Sequence, residues 1–186
     1  MSVSLDGFVA TPDGSLDWVL VDEELHAAFN EEARGLSAFL YGRHMYELMT
    51  AYWPTAEADP TVTPVEIDFA RLWGPMPKVV FSRTLTEVGW NSRLVRDDAV
   101  DEVARLKARP GYDMGVGGPD LASTFMRAGL IDEYRLYVNP VVLGAGKRFF
   151  PDGVEPLQLR LTETRTFGSG VVYLRYQTGA PDSYPR

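Results

Sequence analysis

Two stretches of the chain, SAFLYGRHMYE (37–47) and DMGVGGPDLASTF (113–125), follow one order: a short apolar run, then glycine, then helical spacing. A strand that feeds a helix in this way cannot hairpin back on itself. Strands separated by helices imply a largely parallel sheet covered on both faces. The same alternation extends along the chain. SVSLDGFVA reads as a strand, TPDGS (11–15) as a turn and EELHAAFNEEARG (23–35) as a helix with Leu25, Ala28, Phe29 and Ala33 on one face. SAFLYG and RHMYELMTAYW form the next strand and helix, Pro54 to Pro64 a loop, and IDFARLW (67–73) a short helix. PKVVFS (77–82) and RLVR (93–96) are strands, and Asp97 or Asp98 caps AVDEVARLKAR. MGVG and PDLASTFMRAG repeat the strand–helix step, with Pro119 suited to a first turn. IDEYRLYVNPVVL (131–143) is a long strand that Pro140 places at an edge or bends. LQLRLTETRTF, GSG and VVYLRYQ then make a closing hairpin. The expected fold is α/β: three layers, α/β/α, around a mixed, mostly parallel sheet with a C-terminal antiparallel hairpin. One domain over 1–178 and a flexible tail over 179–186 are expected.

Composition narrows the chemistry. Of the 186 residues, none is cysteine, which excludes disulfides, thiolate nucleophiles and cysteine-ligated metals, and two histidines, His26 and His44, argue against a histidine metal site. The net charge of −8 argues against a nucleic-acid face but leaves room for a small anion held by local arginines. No apolar run is long enough to span a bilayer, and MSVSLDGFVA has no basic start or long apolar core, so a cytoplasmic location is expected.

In open α/β sheets ligands sit beyond the carboxyl ends of the strands. Three such ends carry suitable groups. Gly117-Gly118 precedes a helix start, where free N–H groups and the helix dipole attract phosphate. In YGRHMYE, Arg43 sits at a first helical position, where it opposes the dipole; an anion between Arg43 and the helix amides would offset that cost. In VVFSRTL, Ser82 and Arg83 supply a hydroxyl and a guanidinium fork. Each taken alone reads as well as a tight turn, a solvated arginine or a polar loop. Together they fit a ligand with several phosphates, although the usual GxGxxG fingerprint is missing.

SLDGFVA (4–10), GRHMYE (42–47), KVVFSRTL (78–85), VGGPDL (116–121) and GLIDEYRLYVNPVVLGAGKRFF (129–150) occur in this order, and with them the chain resembles the dihydrofolate reductase-like superfamily. The likeness is strongest to stand-alone proteins related to the reductase (C-terminal) domain of the bifunctional riboflavin-biosynthesis deaminase/reductase. The resemblance implies a dihydrofolate reductase-like fold and an NADPH-dependent reductase. It implies that the backbone of Val9 and Ala10 holds the nicotinamide carboxamide. Gly42, Arg43, Ser82 and Arg83 match the positions that hold the adenosine 2′-phosphate side and the pyrophosphate. Gly117, Gly118 and the amides near Asp120 and Leu121 match those that carry the pyrophosphate. Met76-Pro77 stand where dihydrofolate reductases place an arginine for the folate glutamate, which argues against folate itself. Relatives carry several residues ahead of MSVSLDG, so either the native start lies upstream or the first strand is short.

The substrate is expected between the first strand and first helix. Trp18 or Trp53 could stack on a planar ring, Tyr46 could line it, and Glu23 or Asp17 could relay a proton. Core or first-turn roles compete for each of these residues. The expected activity is hydride transfer to a small heteroaromatic (pterin- or pyrimidine-like) or carbonyl substrate. The alternatives are the 5-amino-6-(5-phosphoribosylamino)uracil reductase step and a non-catalytic nucleotide-binding module. A homodimer, with no nucleic-acid or membrane partner, is expected from relatives and from the apolar strand Leu136–Leu143.

Overall fold

The structure is a computed structural model that describes residues 1–179, and its chain contacts divide into two compact units, Met1–Asp22 with Phe125 onward, and Glu23–Thr124. All but the first residue of the expected tail lies outside the described residues. No helix among the described residues is long and apolar enough to cross a membrane.

The unit Glu23–Thr124 is built on one parallel sheet. Its strands are β3 (Ala38–Gly42), β4 (Lys78–Phe81), β5 (Ser92–Val95) and β6 (Met114–Gly117), in the order β5-β4-β3-β6. Strands β3 and β4 are buried along nearly their whole length, which is why AFLYG and KVVF read as unbroken runs rather than alternation. Helix α1 (Glu23–Arg34) precedes β3, α2 (Arg43–Tyr52) leaves it, and α4 (Ala99–Lys107) lies between β5 and β6. The core packs Phe39, Tyr41 and Val80 of the sheet against Ala33, Tyr46, Trp73 and Met76.

Three details differ from the sequence reading. The expected loop from Pro54 opens with a 3-10 turn (Trp53–Ala58), and α3 (Pro64–Trp73) begins three residues early. Its start is fixed by Glu66, whose carboxylate accepts from the Thr63 amide (2.8 Å) and hydroxyl (2.6 Å), with Pro64 in the first turn. Asp98 does stand at the N-cap of α4, but in a left-handed conformation (φ 55°) with no side-chain cap bond. Lys78 is the least expected core residue. It is 1% exposed, and its ammonium donates to the carbonyls of Trp73, Gly74, Met76 and Trp90 and lies 4.0 Å from the centre of the Trp73 ring.

The other unit holds a mixed sheet, β1-β7-β10-β9, made of β1 (Ser2–Ser4), β7 (Glu133–Asn139), β9 (Leu159–Thr166) and β10 (Val172–Thr178). β1 pairs parallel with β7, and the hairpin β9–β10 is antiparallel as expected. Of the two expectations for the 131–143 strand, the edge position is overturned, because β7 lies between β1 and β10, while the interruption at Pro140 stands. Pro140 is tolerated because the strand stops at Asn139. SVSLDGFVA is likewise two strands rather than one. Gly7 (φ 83°) breaks it, and β2 (Phe8–Ala10) pairs with a two-residue strand, β8 (Lys147–Arg148), that periodicity could not reveal. Helix α5 (Pro119–Arg127) runs across the division between the units.

Candidate functional site

The parallel register brings the three expected strand ends to one edge. Gly42 lies opposite Phe81, Phe81 opposite Val95, and Tyr41 opposite Gly117. Gly42-Arg43, Ser82-Arg83 and Gly117-Gly118 therefore leave three adjacent strands at the same level, within about 10 Å of one another across the sheet. Topology points to the same place. The chain moves outward from β3 to β4 to β5, then returns to put β6 on the other side of β3. The strand order thus reverses between β3 and β6, the position where open α/β sheets form a ligand crevice. The first turns of two helices close on it. An ideal Cβ at Gly42 would stand 3.8 Å from Leu121 Cβ of α5, and one at Gly118 would stand 3.6 Å from Met45 Cβ of α2.

The two helix starts differ electrically. α2 has no acidic residue in its first turn and no side-chain cap on its amides, whereas α5 carries Asp120 in its first turn. The positive end of α5 is already complemented by that carboxylate; the positive end of α2 is not. Arg43 makes a 3.3 Å pair with Glu47, both side chains being about half exposed, and a pair of that kind contributes little and is free to reopen. Arg83 is exposed, with no ion pair among the described residues. Ser82 is buried, and its Oγ accepts from the amides of Thr84 (3.2 Å) and Leu85 (3.1 Å), so its first task is to shape the loop that presents Arg83. Sequence reasoning passed over Arg96, which follows β5 at the same edge and donates to the Thr86 carbonyl.

The double glycine has internal causes. A Cβ on Gly117 would lie 2.9 Å from two atoms of the Tyr41 ring and 3.2 Å from Met45 Cγ. Gly118 has φ +97°, which side-chain-bearing residues rarely adopt. Bare backbone is thus needed here by the fold itself, whatever ligand then takes advantage of it.

The residues expected near the substrate are placed as follows. Tyr46 is buried in the core and its hydroxyl accepts from the Gly89 amide (2.8 Å), so its side chain is engaged in packing. Trp53 packs edge-on against Phe69 at 4.5 Å and against His26 at 6.0 Å. Glu23 is exposed at the first turn of α1. In the other unit Asp17 is exposed, and Trp18 Nε1 is buried with no hydrogen-bond partner among the described residues. The Leu20 amide donates to Asn139 Oδ1 (2.9 Å), which tethers the segment that carries both. Val9 is buried at the middle of β2 and Ala10 half-buried at its end.

A concavity of about 400 Å³ lies at the opposite, N-terminal end of β4 and β5, with Arg93, Glu102, Arg105 and Arg109 in its wall. Glu102 pairs with both Arg93 and Arg105, and the basic last turn of α4 offsets that helix's negative end. Arg93 and Arg105 are thus accounted for by Glu102 without a ligand, and the Arg109 guanidinium lies 5.7 Å from the centre of the Tyr112 ring. Among the described residues no group of three or more acidic or histidine side chains could hold a metal ion.

The model of the RibD C-terminal domain matches residues 1–173. The chain belongs to the RibD C-terminal domain family. It is 38% identical over 177 residues to the uncharacterized protein YyaP of Bacillus subtilis (strain 168), covering 95% of this chain and 91% of that protein. It is 30% identical over 173 residues to the uncharacterized protein YwjB of the same strain, covering 92% and 91%. Among solved structures it resembles a candidate riboflavin biosynthesis protein from Shewanella sp. PV-4, with TM-score 0.74, 22% identity and 97% of each chain covered. It also resembles the diaminohydroxyphosphoribosylaminopyrimidine deaminase/5-amino-6-(5-phosphoribosylamino)uracil reductase of Thermotoga maritima, with TM-score 0.63 and 16% identity, over 96% of this chain and 55% of that one. The fold is therefore that of the dihydrofolate reductase-like reductases, and family membership supports a reductase-type function.

Proposed function

We propose that the protein is an NADPH-dependent reductase acting on a small heteroaromatic or carbonyl substrate. The observation that carries this reading is the edge at the strand-order reversal. There an uncapped helix start, Arg43 and Arg83 stand together in a molecule of net charge −8. Those residues fit a phosphorylated dinucleotide. Arg43 and Arg83, the latter presented by Ser82, would hold the adenosine 2′-phosphate, and the amides of α2 with Gly42 would face the pyrophosphate side. The amides after Gly117-Gly118 would take a share, reduced by the Asp120 carboxylate. The main chain of Val9 and Ala10 would receive the nicotinamide end. NADPH, when bound, supplies the hydride. The chain's own residues orient the substrate, with Trp18 and Trp53 as stacking faces, and deliver a proton from Glu23 or Asp17. Pairing as a homodimer is part of the same reading.

The test is titration of NADPH and NADH, followed by tryptophan fluorescence. Wild type should bind NADPH more tightly than NADH. Arg43→Ala and Arg83→Ala should each weaken NADPH about tenfold or more and NADH by much less, since a charged hydrogen bond to phosphate is worth roughly 1.5–3 kcal/mol. Equal losses for both nucleotides would remove the 2′-phosphate from these arginines. No quenching by NADPH in wild type would end the reading.

A further inference from the structure

Asp6 lies in the turn between β1 and β2, at a distance in sequence from the three strand ends of the parallel sheet. Its carboxylate accepts hydrogen bonds on both oxygens. It accepts from Ser4 Oγ (2.6 Å), from the Gly144 amide (2.7 Å) and from the Leu143 amide (3.1 Å). Two consecutive main-chain amides converging on one carboxylate fix the direction of the chain through the loop that follows β7. The neighbouring backbone extends the clamp. The Leu5 amide donates to the Val141 carbonyl (2.8 Å), and the Phe149 amide donates to the Gly7 carbonyl (2.9 Å). The Ser4 hydroxyl, which donates to Asp6, accepts from the Phe8 amide (2.9 Å) and so ties the turn to the first residue of β2.

The far end of this loop meets Ala10. Gly146 has φ +139°, and an ideal Cβ there would lie 2.0 Å from the Ala10 carbonyl oxygen and 3.3 Å from the Thr11 carbonyl carbon. The β2–β8 ladder is irregular at this point, between Phe8 and Ala10. Glycine is required at 146 because the peptide of Ala10 occupies the space a side chain would need.

We propose that Asp6 is a positioning residue. Through the amides of Leu143 and Gly144 it sets the 141–146 loop, and through Gly146 that loop sets the Ala10 peptide group. On the reading above, in which Ala10 receives the nicotinamide end of NADPH, this network fixes the nicotinamide half of the cofactor site independently of the phosphate-binding edge.

The experiment compares two ligands that share the adenosine 2′-phosphate: NADPH, and adenosine 2′,5′-bisphosphate, which has no nicotinamide. Asp6→Asn keeps the size but replaces one acceptor oxygen and removes the charge; Gly146→Ala displaces the Ala10 carbonyl without touching Asp6. Each variant is expected to raise the NADPH Kd about tenfold and to leave the bisphosphate Kd within twofold. Loss of affinity for both ligands in equal measure, or for neither, overturns the inference. Should Asp6→Asn fail to fold by circular dichroism, Gly146→Ala decides alone by the same criterion. Wild-type protein that binds neither ligand would instead overturn the cofactor reading itself.

Discussion

Gly117→Ala separates two explanations of the double glycine. Gly117 ends β6 with an ordinary negative-φ strand backbone, because it is not among the glycines at positive φ. In such a place alanine would normally stabilise by about 0.4–1 kcal/mol, through the lower entropy of the unfolded chain. Here the new methyl meets Cδ1 and Cε1 of Tyr41 at 2.9 Å. Tyr41 cannot retreat easily. It is 3% exposed, its ring stacks on Phe39 at 5.4 Å and 10°, and its hydroxyl accepts from Trp73 Nε1 at 3.3 Å. Overpacking a rigid site of this kind costs about 1–3 kcal/mol. The net expectation is a loss of about 1–2 kcal/mol, or roughly 3–6 °C in Tm for a chain of this size. Urea unfolding measures it. A Tyr41→Val background removes both ring atoms, and there the same Gly117→Ala change should become neutral or favourable, a coupling of about 1.5–3 kcal/mol. If Gly117→Ala leaves stability unchanged while NADPH affinity falls, the glycine serves the ligand and the packing argument is wrong.

Two further predictions concern charge. Burial pushes the Lys78 ammonium down from 10.5 to about 8, while four carbonyls and the Trp73 ring hold it in place. Between those two values the unfolded chain binds the extra proton, so this residue makes stability rise with pH by up to about 1.4 kcal/mol per unit. Lys78→Met should flatten that rise and, by orphaning the carbonyls, lower stability at pH 7 by about 1–3 kcal/mol; a variant as stable as wild type in urea at pH 7 would refute the account. The Thr63 hydroxyl and amide hold the Glu66 carboxyl below its usual 4.5. Its contribution is therefore present at neutral pH and lost as pH falls below 4.5 through the depressed value. Glu66→Ala should cost about 1 kcal/mol at pH 7, and the difference from wild type should shrink as pH falls below 4.5; a difference that shows no dependence on pH in acid would rule out the carboxylate as its source.

Most elements were legible because apolar spacing records what a segment buries. β3, β4 and β6 and helices α1, α2, α4 and α5 lie where spacing, glycine and proline put them. Spacing does not record partners. The order β5-β4-β3-β6, the interior position of β7 and the two-residue β8 depend on which strand lies alongside, and no local pattern carries that. Asp6 shows the limit most sharply: its acceptor bonds reach 137 and 138 residues along the chain, and no local pattern around SLDGFVA carries such partners. Lys78 shows another. A lysine at a strand start reads as a solvated edge, and only the folded positions of Trp73 and Trp90 turn it inward.

The three strand ends differ in how far the fold alone accounts for their residues, and the difference is informative. A residue that obeys local rules says little about a ligand, since the fold already accounts for it. Gly117 and Gly118, the features that looked most like a phosphate cradle, turn out to obey such rules through Tyr41 and a positive φ. Arg43 does not. It sits in the first turn of a helix with no acid to balance it, against the dipole, and its surface pair with Glu47 is too exposed to explain the choice. The start of α5, by contrast, carries Asp120 in its first turn. Weight therefore moves from the double glycine to the Gly42-Arg43 junction. If one strand end dominates nucleotide affinity it should be that one, with Arg43→Ala costing more than Gly118→Ala once each loss is corrected for its effect on stability. Comparable corrected losses would return the glycines to the centre of the site.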